Sequence, residues 1–214
     1  ITYQEQYEKS LKLANAFIEL GIQKGDVIAI QLSNSPEFLA VYFASTLLGT
    51  VLSTMHMPYR TKEMEPLLRH CKAKAVICDG KGKGYDAPKT MLKLKARVGS
   101  LEHIIVAKGT APKSTFSLAQ LVENGNNKQI NDGPVASDPA ILCFTSGTSS
   151  APKAVVHSYQ TLLSNNRVTA PIYNITDKDR ILSGPPFTHA FGICVLNFTL
   201  MSGASIILMP YFSP

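Results

Sequence analysis

Cysteine is scarce and scattered. Cys71, Cys78, Cys143 and Cys194 never stand two residues apart, which excludes a zinc ribbon or a Cys-x-x-Cys redox pair. Each lies in or beside an apolar segment, so buried free thiols are expected. Charged residues make up 17% of the chain against 45% apolar, which excludes a disordered polymer. No positively charged start leads into an apolar secretory segment, and a cytoplasmic protein is expected. The longest apolar stretch, Ala190 to Met209, is interrupted by Asn197, Thr199 and Ser202-Gly203-Ala204-Ser205. It reads as helix, turn and strand rather than a transmembrane segment. A Walker A loop is missing: Lys153 is preceded by Pro152 and followed by Ala154, and no G-x-G-x-x-G dinucleotide pattern occurs.

The 214 residues suffice for one large domain or two small subdomains. The net charge of +6 is concentrated in the middle, where residues 61–114 hold twelve Lys/Arg against five Asp/Glu. Lys81, Lys83, Lys89, Lys93, Lys95 and Arg97 are its densest part. Two readings stay open there, a solvated face and a docking surface for a polyanionic ligand. Nucleic acid is not expected, since this segment offers only Tyr85 for stacking and matches no nucleic-acid-binding motif.

Periodicity places the elements. Thr2-Tyr3-Gln4-Glu5 has the form of a capping box, and Tyr7, Leu11, Ala14 and Ile18 fall on one face of a helix that stops at Gly21. Val27–Leu32 reads as a strand. Ser35-Pro36-Glu37 reads as the capped start of a helix ending near Gly49. Further strands are expected at Thr50–Met55, Ala75–Cys78 and His103–Ala107. Helices are expected at Thr61–His70 with Thr61 as cap, at Lys89–Val98 and at Ser117–Glu123. The polar connection Asn124–Asp138 is the best subdomain linker. After it come a strand over Ala140–Phe144 and a helix from Ser158, covering Leu162, Leu163 and Val168 and closed by Pro171. Ile181-Leu182 is a strand, residues 193–201 a helix and Ser205–Met209 a last strand. Strands alternating with helices predict an α/β fold of βαβ units with mainly parallel sheet and helices on both faces.

Between the strand at Ala140–Phe144 and Pro152-Lys153 lie Thr145, Ser146, Gly147, Thr148, Ser149 and Ser150, five hydroxyls around one glycine. Hydroxyls and bare backbone N–H groups donate to phosphate oxygens, Gly147 allows close backbone approach, and Lys153 adds a flexible point charge. The same composition also occurs in ordinary turns.

Thr145-Ser146-Gly147-Thr148-Ser149-Ser150-Ala151-Pro152-Lys153-Ala154-Val155 resembles the [YF]-T-S-G-T-T-G-x-P-K-G-V signature of the adenylate-forming superfamily. Ser150 and Ala154 stand where that signature has glycine. Ile1–Tyr59 is similar to the family's opening segments, including Asn34-Ser35-Pro36-Glu37-Phe38. Pro185-Pro186-Phe187-Thr188-His189-Ala190-Phe191-Gly192 resembles the P-x-x-H-x-x-G segment of acyl-CoA synthetases.

The resemblance implies the N-terminal part of the large domain of such an enzyme, with residues 1–133 as a first α/β subdomain and 134–214 as the start of the AMP-binding one. It implies ATP-dependent conversion of a carboxylic acid to an acyl-adenylate, then thioester formation with coenzyme A. An amino-acid-activating domain and a non-catalytic nucleotide-binding module are the alternatives. On this reading Thr145, Ser146, Gly147, Thr148, Ser149, Ser150 and Lys153 bind ATP, Thr148 sits beside Mg²⁺, and Lys153 and His189 are catalytic. His189 would orient the carboxylate or gate its channel. The partners implied are the acid and coenzyme A, with room for a homodimer. The family's adenine segment, Mg²⁺-linked acid, ribose-binding acid and catalytic-lysine domain would follow Pro214, and residues 1–214 alone are expected to be inactive.

Overall fold

The computed structural model describes residues 1–82, 84–145 and 153–210. The chain runs through α1 (Tyr3–Glu19), β1 (Val27–Gln31), α2 (Pro36–Leu48), β2 (Val51–Thr54), α3 (Thr61–His70) and β3 (Ala75–Cys78). The two-residue strands β4 (Lys81–Gly82) and β5 (Tyr85–Asp86) follow, then α4 (Ala87–Lys95), β6 (His103–Val106), β7 (Phe116–Ser117) and α5 (Leu118–Asn124). The last part holds β8 (Pro139–Thr145), β9 (Lys153–Ser158), α6 (Tyr159–Ile172), β10 (Arg180–Ser183), α7 (Ala190–Met201) and β11 (Ser205–Leu208).

The main sheet has the order β7-β6-β3-β1-β2-β8-β9. Every neighbouring pair in it is parallel except β8 and β9, which are antiparallel. β10 and β11 form a separate parallel pair around α7. Alternation along the central strands sends side chains to two cores. Ile28, Ile30, Ile77 and Ile105 pack with α1, α2 and α5. Ala29, Val76, Cys78 and Ile104 pack with Met64, Leu68, Met91 and Leu94 of α3 and α4. Helices therefore cover both faces, as the alternating pattern predicts, and the central strands are mainly apolar because neither face meets water, with Gln31, Ser53 and Thr54 as buried polar exceptions.

Caps set several boundaries. Thr2 and Glu5 close their capping box, with Thr2 N donating to Glu5 Oε2 at 2.7 Å and Glu5 N to Thr2 Oγ1 at 3.2 Å. Ser35 Oγ caps α2 by accepting from Phe38 N, and Gly49 ends it in the left-handed conformation at φ 75°. α3 spans Thr61–His70 as expected, but Thr61 is not its cap. Arg60 is the N-cap, its N–H donating to Glu63 Oε2 at 2.9 Å, and Thr61 is the first helical residue. The connection from residue 125 to 138 lies along α1 and joins β8 to the same sheet as β1–β3. Asn15 Nδ2 donates to Lys128 O at 2.8 Å, and Lys24 pairs with Asp138 at 2.9 Å.

Three readings need correction, and one strand was not anticipated. Tyr7 and Ile18 are 41% and 45% exposed; the buried face of α1 centres on Leu13, Ala14 and Phe17, to which the 3.6-residue turn brings them. In α6 the inward positions are Leu162, Asn166 and Ala170, one turn apart, leaving Val168 65% exposed. The segment before Ser158 is strand β9, paired with β8, although its exposed Val155 and Val156 carry no period-two signal. Of the four free thiols only Cys78 is fully buried, and burial pushes it up to about 12. No helix among the described residues is long and apolar enough to cross a membrane.

Candidate nucleotide and acyl site

In an open parallel sheet ligands gather beyond the carboxyl ends of the strands. Here a cavity of about 430 Å³ opens there. β2 contributes Thr54, and the segment after it His56 and Tyr59. The end of β8 contributes Cys143, Phe144 and Thr145, and β9 contributes Val155 and His157. Thr188, His189 and Ala190 close it from the entry to α7. A second cleft, of about 460 Å³, lies on α3 between Thr61 and Arg97 and touches none of the expected site residues. Its guanidiniums already share one carboxylate, Glu65, with Arg69 at 3.1 Å and Arg97 at 3.4 Å. It is the shallower surface, and exposed pairs of this kind contribute little.

The hydroxyl-rich loop starts and ends at paired residues. Thr145 and Lys153 face one another in the β8–β9 ladder, with Thr145 Oγ1 donating to Lys153 O at 3.5 Å. Both side chains are exposed. Thr145 lines the cavity and Lys153 does not. Ser146, Gly147, Thr148, Ser149 and Ser150 lie outside the described residues, and with them the expected Mg²⁺ contact. Ala154 sits within β9 opposite Phe144. It is not among the described non-glycine residues with positive φ, so this position does not require glycine's backbone freedom.

His189 is held by its own helix. As N-cap of α7 it accepts the Phe191 N–H on Nδ1 at 3.2 Å. A neutral imidazole that accepts on Nδ1 carries its proton on Nε2, leaving a donor free for a ligand. The loop before it is fastened by Asn34, at the end of the turn after β1 and only 3% exposed. Asn34 Nδ2 donates to Ser183 Oγ at 3.0 Å and Pro185 O at 2.9 Å, while Asn34 Oδ1 accepts from Phe187 N at 2.8 Å. Phe187 is fully buried against Phe38, with ring centroids 5.2 Å apart. Pro186 O then accepts His189 N at 3.0 Å, and it lies so near Gly192 that a Cβ there would collide with it. Two motifs about 150 residues apart in the chain are thus one structural unit.

His56 faces His189 in a stacked arrangement, with centroids 6.0 Å apart and planes at 26°. Its backbone is held by Gln31 Nε2, which donates to the carbonyls of His56 and Tyr59, each at 3.0 Å. Burial, with a smaller contribution from His189, holds the His56 imidazole below its ordinary value. Burial also raises the Cys143 thiol, which keeps it protonated and a poor nucleophile. Among the described residues no lining residue of the cavity is a carboxylate, whereas three threonines, three histidines and a tyrosine offer donors. Among the described residues no group of three or more His, Cys, Asp or Glu could hold a metal.

Sequence reasoning named Thr145 and His189 and missed Thr54, His56, Tyr59, His157 and Thr188. The one available signal was position, since Thr54 and His56 stand at the carboxyl end of a parallel strand.

The whole chain, residues 1–214, matches the AMP-binding enzyme family. It belongs to that family. Its relatives include the acyl-CoA ligase sidI of Aspergillus fumigatus, 26% identical over 98% of this chain and 37% of that protein. The medium-chain fatty-acid–CoA ligase of Escherichia coli is 27% identical over all of this chain and 38% of its own length. The chain thus spans under two fifths of these relatives. ATP-bound MatB from Rhodopseudomonas palustris superposes with a TM-score of 0.84 at 25% identity, over 100% of this chain and 41% of that one. The anthranilate CoA ligase AuaEII, in complex with anthranoyl-AMP, has the same fold, with a TM-score of 0.88 at 21% identity over 99% of this chain and 40% of its own.

Proposed function

We propose that these residues supply the phosphate loop and one wall of the acid site in an AMP-forming acid–thiol ligase. Such an enzyme joins a carboxylate to the α-phosphate of ATP, releases pyrophosphate, and passes the acyl group to coenzyme A. The observation that carries this reading is the single cavity joining Thr145, at the mouth of the hydroxyl-rich loop, to His189 of the Pro185–Gly192 segment. Adenylation asks mainly for positioning and charge neutralisation. Thr145, Ser146 and Thr148, with the backbone of Gly147, Ser149 and Ser150, donate to phosphate oxygens, and Lys153 offsets their charge. Mg²⁺, when bound beside Thr148, shares that charge. The Nε2–H of His189 is free to orient the substrate carboxylate. A cavity walled by donors, with no carboxylate among its described lining residues, suits two anionic reactants.

Fatty and aromatic acids are the first candidates, and the fatty acid in the Escherichia coli relative's name supports the former. A cytoplasmic setting belongs to the same proposal. Hydroxylamine trapping tests it on the full-length protein supplied with ATP, Mg²⁺ and either octanoate or benzoate. Acid-dependent hydroxamate should form and fall at least about 100-fold in Lys153→Ala, as for loss of a preorganised charge. Absence of hydroxamate with every acid tried would remove the reading.

A further inference from the structure

Six residues, Met55 to Arg60, join β2 to α3. A connection that only spans this gap needs no clamps, yet this one has two. Gln31, 2% exposed at the end of β1, holds the carbonyls of His56 and Tyr59 through Nε2. Arg60 Nη1 donates to the carbonyls of Met57 at 2.9 Å and Tyr59 at 2.8 Å, and its guanidinium carbon lies 3.8 Å from the centroid of the Tyr85 ring. The Tyr59 ring meets His56 edge-on, with centroids 5.1 Å apart and planes at 79°. The half-buried His56 ring is therefore fixed by its backbone and by a neighbouring ring.

His189 is held less completely. Its side chain is exposed at the cavity. Among the described residues it makes one hydrogen bond, accepting Phe191 N on Nδ1, and one aromatic contact, with His56. One hydrogen bond to a ring nitrogen leaves the imidazole free to tilt about that bond. A second flat ring facing it, with centroids 6.0 Å apart and planes at 26°, restricts the tilt. Burial first, and His189 second, hold the His56 imidazole below its ordinary value, so near neutral pH it faces His189 as an uncharged ring.

We infer that His56 is a positioning residue, a fixed flat platform that sets the tilt of the His189 ring in the cavity. This rests on the ligase reading for what His189 then orients, the carboxylate of the acid. Displacing a reacting group by about 1 Å costs about 100-fold in rate, so a loosely held His189 ring needs such a support.

Three variants of the full-length protein separate the platform from other roles. His56→Ala removes the ring, His56→Leu keeps its bulk without a flat face, and His56→Phe keeps the flat face without the nitrogens. The first readout needs no substrate. In ligand-free protein labelled on histidine Cε1, the His189 signal, identified by its loss in His189→Asn, should move toward the position of a free histidine in His56→Ala and His56→Leu but not in His56→Phe. The second is acid-dependent ATP–pyrophosphate exchange with octanoate. Its kcat/KM for the acid should fall about 10-fold or more in His56→Ala and His56→Leu, with the KM for ATP unchanged, and His56→Phe should restore it. An unmoved His189 signal in both ring-less variants would overturn the inference. So would wild-type exchange in His56→Leu, or a His56→Phe as impaired as His56→Leu. A displaced His189 signal in a protein whose wild type shows no exchange with any acid would uphold the platform and sink the ligase reading instead.

Discussion

At the residue scale, His189 has two separable duties. Its Nδ1 caps α7, and the residue lines the cavity. His189→Ala should lose the cap and about 0.5–2 kcal/mol of stability, whereas His189→Asn, itself a good N-cap, should unfold at nearly the wild-type denaturant concentration. Both should lose acid activation alike. If His189→Asn kept activity, the imidazole would have no role beyond the cap. The recurrence of His189 in a motif made it legible in sequence. Its pairing with His56 was not legible, because only the fold brings the segment after β2 against the entry to α7.

His56 gives a pH prediction. Its folded-state value is held below the ordinary 6.5 by burial first and His189 second. The unfolded chain therefore binds more protons in that range, and stability should fall as pH drops below about 6.5. Half-buried His103 is lowered too, by burial against the opposing pull of Glu102, and acts in the same direction. Equilibrium unfolding of His56→Phe across pH 5 to 8 should show a shallower decline than wild type. Parallel curves would remove His56 from the explanation. Among the described residues the other titratable groups of the cavity are Tyr59, Cys143, His157 and His189, and none is a carboxylate that could raise His56 again.

At the scale of elements, the connection between the Asn34 turn and the Pro185–His189 loop is the unexpected feature. Asn34→Ala would leave the buried Phe187 N–H without its acceptor, a loss of about 1–3 kcal/mol. Denaturant unfolding should show that loss, and acid activation should fall with it because His189 is no longer held. Full activity at unchanged KM in Asn34→Ala would show that the loop positions itself. Both motifs were visible in sequence, but their contact was not, since side-chain pairing across about 150 residues leaves no local pattern. Strand β9 escaped for a related reason. Its stability comes from the ladder with β8, and exposed Val155 and Val156 break the alternation that identifies a half-buried strand.

For the whole molecule, the alternation of strands and helices was enough to predict the mainly parallel sheet covered on both faces. Caps at Thr2, Ser35 and Gly49 placed the early boundaries because each is satisfied by neighbours in the chain. Faces of α1 and α6 were harder, since which side of a helix is buried depends on its partner. The central claim is that the cavity at the carboxyl edge of the sheet serves adenylation of a carboxylic acid. ATP–pyrophosphate exchange by the full-length protein tests it most directly. Exchange should appear only when a fatty or aromatic acid is added and should need no coenzyme A; exchange independent of any acid, or none with any acid in the panel, would contradict it.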